Sequence, residues 1–224
     1  MSLKEKFKKT KNLEEDVNFG KETFYKLLLP VISFEILTMA LSIVLGDVPV
    51  AKLPGVISAG VIICLILNIV ILSISVTFSA QSITEDLVSF YGEETSVKER
   101  TKLMKQLMAM PPKVGIIVLI SFIVTGTIWE IICTNLARLN KDSYILFGLG
   151  IVIGTYYATV YAITGVTQKI CSHYAAIIVK KGVSKAEVDK NHTFGTKSTL
   201  ITVLHIFLPI ILSSLSFLIL SWRV

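Results

Sequence analysis

LPGVISAGVIICLILNIVILSISVTFSAQSIT, residues 53 to 84, runs for 32 residues without an Asp, Glu, Lys or Arg. As a helix rising 1.5 Å per residue it would reach about 48 Å, well past the roughly 30 Å hydrocarbon core of a bilayer. The run therefore predicts a transmembrane helix that continues out of the membrane on one side.

Working outward, residues 143 to 168 and 198 to 222 are also free of charge, and residues 27 to 46 and 114 to 135 have one interruption each, at Glu35 and Glu130. Each is long enough to cross a bilayer, which takes about 20 residues. The whole chain of 224 residues is 53% hydrophobic and only 17% charged, with a mean hydropathy of +0.71, which excludes an ordinary soluble globule. The expected fold is all-α: a polytopic membrane helical bundle of five transmembrane helices with cytosolic helical extensions. Residues 1–23 form a cytoplasmic N-terminal arm, and residues 24–224 the membrane domain, with spans at about 24–46, 55–80, 113–135, 144–168 and 198–221. The first apolar run lacks a small-x-small cleavage site and reads as a retained signal anchor.

Orientation follows from Lys and Arg, which concentrate in short cytoplasmic segments. The alternate segments 1–26, 85–113 and 169–197 hold 18 of the 22. That places the N-terminus in the cytoplasm and Val224 outside, in a cytoplasmic (inner) membrane. The net charge of +6 is spread over three segments with no aromatic-interleaved patch, so lipid headgroups rather than nucleic acid explain it.

The fourth run behaves like the second. From Tyr144 to Val179 only Lys169 is charged, and Ile170, Cys171, Tyr174, Ala175 and Ile178 share one helical face, the pattern of a cytosolic stem. After each stem an S-x-x-E capping box restarts a helix, at Ser96 to Glu99 and at Ser184 to Glu187.

ERTKLMKQLMAMPPKVGIIVLISFIVTGTIWE, residues 99 to 130, resembles a segment of multi-span bacterial receptors: a basic helix, then Leu/Met-x-Pro, then an apolar span with Trp. These are the six-span adenylate/guanylate cyclases with a HAMP linker and the related methyl-accepting chemotaxis receptors, including those of spirochaetes. FGTKSTLITVLHIFLPIILSSL, residues 194 to 215, is similar to that family's fifth span with its mid-helix proline, here Pro209. The resemblance implies a sensory input module that acts as a homodimer on a cytosolic signalling domain or partner. The family's sixth span, HAMP and output domain have no counterpart in this sequence, so no catalytic residue carries over, and Trp222-Arg223 would stand just before the missing sixth span.

The chemistry-bearing residues are few. Glu35 falls near the membrane midplane, where a charged side chain costs about 2.5–3.5 kcal/mol on insertion scales. It needs a polar neighbour, with His205 in the fifth span the first choice and Asn68 another. Such a cluster either fixes helix register or forms a proton-sensitive or ligand-binding site. Glu130 either snorkels to water or walls an outward-facing pocket with Tyr156 or Tyr157. Gly150 and Gly154 make a GxxxG packing motif, and Pro30 and Pro209 are candidate hinges. Cys64, Cys133 and Cys171, with His173 and His192, lack metal-ligand spacing, so neither metal nor cofactor is expected. Sensory input leads, a small ion channel or transporter is the alternative, and an enzyme in this chain alone is not expected.

Overall fold

The computed structural model describes residues 18–92, 95–137 and 141–180. Among them the regular structure is all helical: α1 (Phe19–Leu45), a 3-10 turn (Val50–Lys52), α2 (Leu53–Gly92), α3 (Val97–Ala137), α4 (Lys141–Tyr161), a π-helical segment (Ala162–Thr167) and α5 (Gln168–Lys180). Since α4, the π segment and α5 follow one another without a break, four long apolar helices result, each able by length and composition to cross a membrane. The fifth expected span, 198–221, lies outside the described residues, as do residues 1–17 of the N-terminal arm, His192, His205, Pro209 and the second capping box, while residues 19–23 of the arm belong to α1.

Local chemistry sets the helix ends. Asn18 caps α1 by accepting from the Lys21 N–H at 2.9 Å. At the other end Asp47 takes a left-handed φ of 51°, and its N–H and that of Val48 donate to the Val44 and Ile43 carbonyls at 3.3 and 3.2 Å. That is a Schellman closure, which satisfies carbonyls the helix leaves over. Ser96 and Glu99 form a reciprocal capping box: the Ser96 N–H donates to the Glu99 carboxylate at 2.8 Å and the Glu99 N–H to the Ser96 hydroxyl at 3.3 Å.

Helix lengths exceed what a membrane needs. α2 has 40 residues and α3 has 41, so each is about 60 Å long and must extend beyond a 30 Å apolar core. α3 passes straight through Pro111 and Pro112, so the basic stretch and the expected third span form one helix. Proline's fixed φ suits a helix, and each ring removes one donor, leaving the Leu107 and Met108 carbonyls without their helical partners. Burial of Leu107, Met110, Pro111 and Val114 on the same side holds the helix together across the gap.

One end of the bundle carries the start of α1, the α2–α3 connection and the end of α5, with most of the Lys and Arg among the described residues; it is called the basic end below. The other holds the short α1–α2 and α3–α4 connections. One buried core, from Val118 and Phe122 through Leu107 and Ile170 to Phe90, Leu103 and Ile178, reaches the basic end. A second surrounds Trp129, Cys133, Phe147 and Val56 at the short-turn end. Outward-facing side chains are largely apolar: Leu29 is 73% exposed, Phe78 78% and Ile145 63%, as a lipid-facing surface requires.

Candidate functional site

Between the two cores lies a layer of buried polar side chains. Glu35, Thr38 and Ser42 recur on α1 at helical spacing, Cys64 and Asn68 on α2, and Ser121 and Thr125 on α3, all turned inward. The Asn68 amide donates to Glu35 Oε2 at 2.7 Å, and the Ser121 hydroxyl donates to Asn68 Oδ1 at 2.7 Å. The Thr125 side chain hydrogen-bonds the same Glu35 carboxyl. Its carbonyl accepts from the Cys64 thiol at 3.5 Å. Glu35 is 2% exposed, Asn68 1% and Ser121 fully buried.

Three helices are thereby tied together by one connected network. Asn68 is its centre because its amide donates through Nδ2 to Glu35 and accepts through Oδ1 from Ser121. The partners of Glu35 among the described residues, Asn68 and Thr125, are both uncharged. A buried carboxyl whose partners among the described residues are neutral is the kind of intramembrane group that marks functional positions.

One turn toward the short-turn end, the Trp129 indole N–H donates to the Ser42 hydroxyl at 2.8 Å, and Ser42 donates to the Met39 carbonyl at 2.8 Å. Trp129 seats over Gly60, where any Cβ would run into its ring. Gly150 and Gly154 bring α4 against α1: a Cβ on Gly150 would come within 2.7 Å of Ser42 Cα, and one on Gly154 would collide with Thr38. The GxxxG motif thus packs helices within the chain in this structure.

Other expectations fall differently. Glu130 hydrogen-bonds Tyr144 rather than Tyr156 or Tyr157, since it faces the first turn of α4, and Tyr157, 36% exposed, stacks edge-on against Tyr156. Pro30 lies inside α1. Among the described residues no group of His, Cys, Asp and Glu is arranged to hold a metal ion. A surface groove of about 550 Å³ beside α2, lined by Asn18, Thr77, Gln81 and Glu85, does not include the Glu35 network.

Ser121, Thr125, Ser42 and Trp129 were not singled out from the sequence. The signal was there: 35, 38 and 42 on one helix and 121 and 125 on another lie three, four or seven apart, the spacing of a shared face. In a membrane helix such minority polar residues mark the inward side.

A second polar contact lies at the basic end, outside the uncharged runs. The Tyr174 hydroxyl donates to Glu22 Oε2 at 2.6 Å, and Lys26 Nζ donates to Glu22 Oε1 at 2.6 Å. The Tyr174 ring meets Phe19 edge-on at 5.5 Å. Partial burial works to raise the Glu22 pKa, but the hydrogen bonds from Lys26 and Tyr174 outweigh it and hold the carboxylate below its ordinary range.

In comparisons with known proteins, no family model matches the chain, and neither the curated proteins nor the solved structures give a match.

Proposed function

We propose that this chain is a membrane sensory-input module of the bacterial receptor type, with the basic end in the cytoplasm of the inner membrane. It works as a homodimer and passes its signal to a cytosolic signalling domain or partner, and it carries no enzymatic activity of its own. The observation that supports this reading most directly is the placement of the Glu35–Asn68–Ser121 network at the head of a core that runs on to the ends of the long stems. An event that alters the network changes how α1, α2 and α3 are joined, and the shared core extends that change toward Phe90, Leu103 and Ile178. Such coupling requires two arrangements whose balance the network biases. The likeness of residues 99–130 and 194–215 to cyclase and chemoreceptor membrane regions points the same way.

The test is a chimaera in which a sixth span, a HAMP linker and a cyclase follow Val224. Asn68→Ala and Glu35→Gln should each change cyclase activity about fivefold or more, the lower range of allosteric couplings, at unchanged membrane abundance. Indifference to both substitutions removes the sensor reading. The transporter alternative is favoured by the buried Glu35 carboxyl, whose partners among the described residues are neutral, and ion or proton flux through liposomes holding only this chain would establish it instead.

A further inference from the structure

Three of the four long helices are interrupted at one level. In α3 the interruption is Pro111-Pro112. In α1 it is Pro30, which leaves the Lys26 carbonyl without its helical donor. Between α4 and α5 it is the π segment Ala162–Thr167, where the Gln168 N–H bonds the Ile163 carbonyl and the Thr167 hydroxyl donates to the Ala162 carbonyl at 2.8 Å, both five residues back.

Contacts on either side fix the level. Phe34 packs on Tyr161 with ring centroids 5.5 Å apart, and Glu22 bonds Tyr174, so Pro30 faces the π segment between these two pairs. Gly115 of α3 faces Ile163, where an added Cβ would come within 2.5 Å of Ile163 Cδ1, and Pro112 follows less than one turn toward the basic end. α2 is the exception: from Val61 to Tyr91 it has neither Gly nor Pro. Proline gaps and π turns are identifiable causes of helix kinking.

Beyond the layer, toward the basic end, the three helices are bonded to one another and pack against α2 through Ile83, Leu87 and Phe90 of the shared core and through the Lys102–Asp86 ion pair at 2.9 Å. Glu22 and Phe19 of α1 hold Tyr174 of α5, and Leu103, Met104 and Leu107 of α3 share a buried core with Ile170 and Ile178. We propose that Pro30, Pro111-Pro112 and residues 162–167 form a hinge layer, at which the basic-end parts of α1, α3 and α5 tilt as one body against α2. α2 is the unbroken pillar. The hinge rests on helix geometry and holds whether the chain senses or transports.

A π turn accommodates one residue more than an α turn. Removing one residue from 162–167, such as Thr164, therefore converts it to α-helix and leaves the faces of α4 and α5 aligned, whereas a deletion inside a regular helix would rotate them by about 100°.

The experiment uses the full chain in lipid nanodiscs, with Cys64, Cys133 and Cys171 replaced by Ser and spin labels on exposed pairs. Labels at Ser82 and Lys180 read the basic end against the pillar, and labels at Ile57 and Ile145 read the short-turn end. The first pair should give two distance maxima about 2–5 Å apart, the range of known helix shifts, and the second pair one. Pro111→Ala/Pro112→Ala with Thr164 deleted should collapse the first pair to a single maximum. Should the deletion prevent insertion, Pro111→Ala/Pro112→Ala alone should still shift the balance between the two maxima. A single maximum at 82/180 in the unaltered chain overturns the proposal, and so does a distribution that neither variant changes.

Discussion

At the short-turn end α1 and α4 approach backbone to backbone through Gly150 and Gly154, and Trp129 reaches from α3 to Ser42. At the basic end the same polypeptide uses bulk, with Phe19, Leu87, Leu103, Met104, Leu107 and Ile178 filling the space between helices. The difference follows from the surroundings each half must exclude. Lipid tails are as apolar as Leu, so helices within a bilayer gain little from burying Leu and rely on close approach and interhelical hydrogen bonds. The stems of helices about 60 Å long extend past the lipid, where burying large apolar side chains is favourable again. α5 displays the water-type pattern: Ile170, Cys171 and Ile178 are buried, and Gln168, Lys169, Ser172 and His173 are exposed.

The largest expected effect breaks the close approach. Gly154→Val should cost about 3 kcal/mol or prevent insertion, because Thr38 and the α1 backbone have nowhere to go, while Gly148→Val on the same helix, with open space around it, should change unfolding in mixed micelles little. Equal losses at both glycines would mean that α1–α4 contact does not hold this half together.

Next comes the network between the halves. Glu35→Leu should lower stability by about 1–2 kcal/mol, since it leaves the Asn68 amide without its acceptor, and Glu35→Gln, which keeps an acceptor oxygen, should lose less than half of that. A Gln variant as damaged as the Leu variant would show that the amide contact contributes nothing.

Trp129→Phe keeps most of the ring and removes only the donor to Ser42. A loss of about 0.6 kcal/mol is expected, the usual size of one hydrogen bond between membrane helices. Amide exchange should rise around Ser42 and leave Tyr174 as it was.

The smallest effect lies at the basic end. Tyr174→Phe should cost about 0.5 kcal/mol or less, because Glu22 is near the surface and keeps Lys26. Glu22 has a lowered pKa in the folded chain, so its contribution is present above the ordinary carboxylate range and is lost as the pH falls through the lowered value. Acid titration of stability should therefore be shallower in Tyr174→Phe than in the unaltered chain. Parallel titration curves would remove Tyr174 from the account.

The inward placement of Glu35 was legible in its depth within an uncharged run, and so was Asn68 as a possible partner. Ser121 and Thr125 went unread because a nearly uniform apolar helix has no hydrophobic face to mark its inside. The sparse polar residues carry that information instead, and only when several helices are considered together. Tyr144 as a partner of Glu130 was not legible for a related reason: the depth at which α4 begins decides which of its tyrosines comes level with Glu130.

Helical class, the four described apolar helices and the surplus length of α2 follow from counting uncharged residues, since hydrocarbon tolerates few charges and backbone hydrogen bonds must be met within each helix. The capping box at Ser96 is equally local. Tertiary structure decided which polar atoms meet across helices, that α3 continues through Pro111-Pro112, and that residues 162–167 take a π turn opposite Pro30. Those outcomes depend on the rotation and depth of each helix against its neighbours. Near-uniform apolar sequence leaves both open, because a turn of about 100° per residue changes the contacts of a helix without changing its composition.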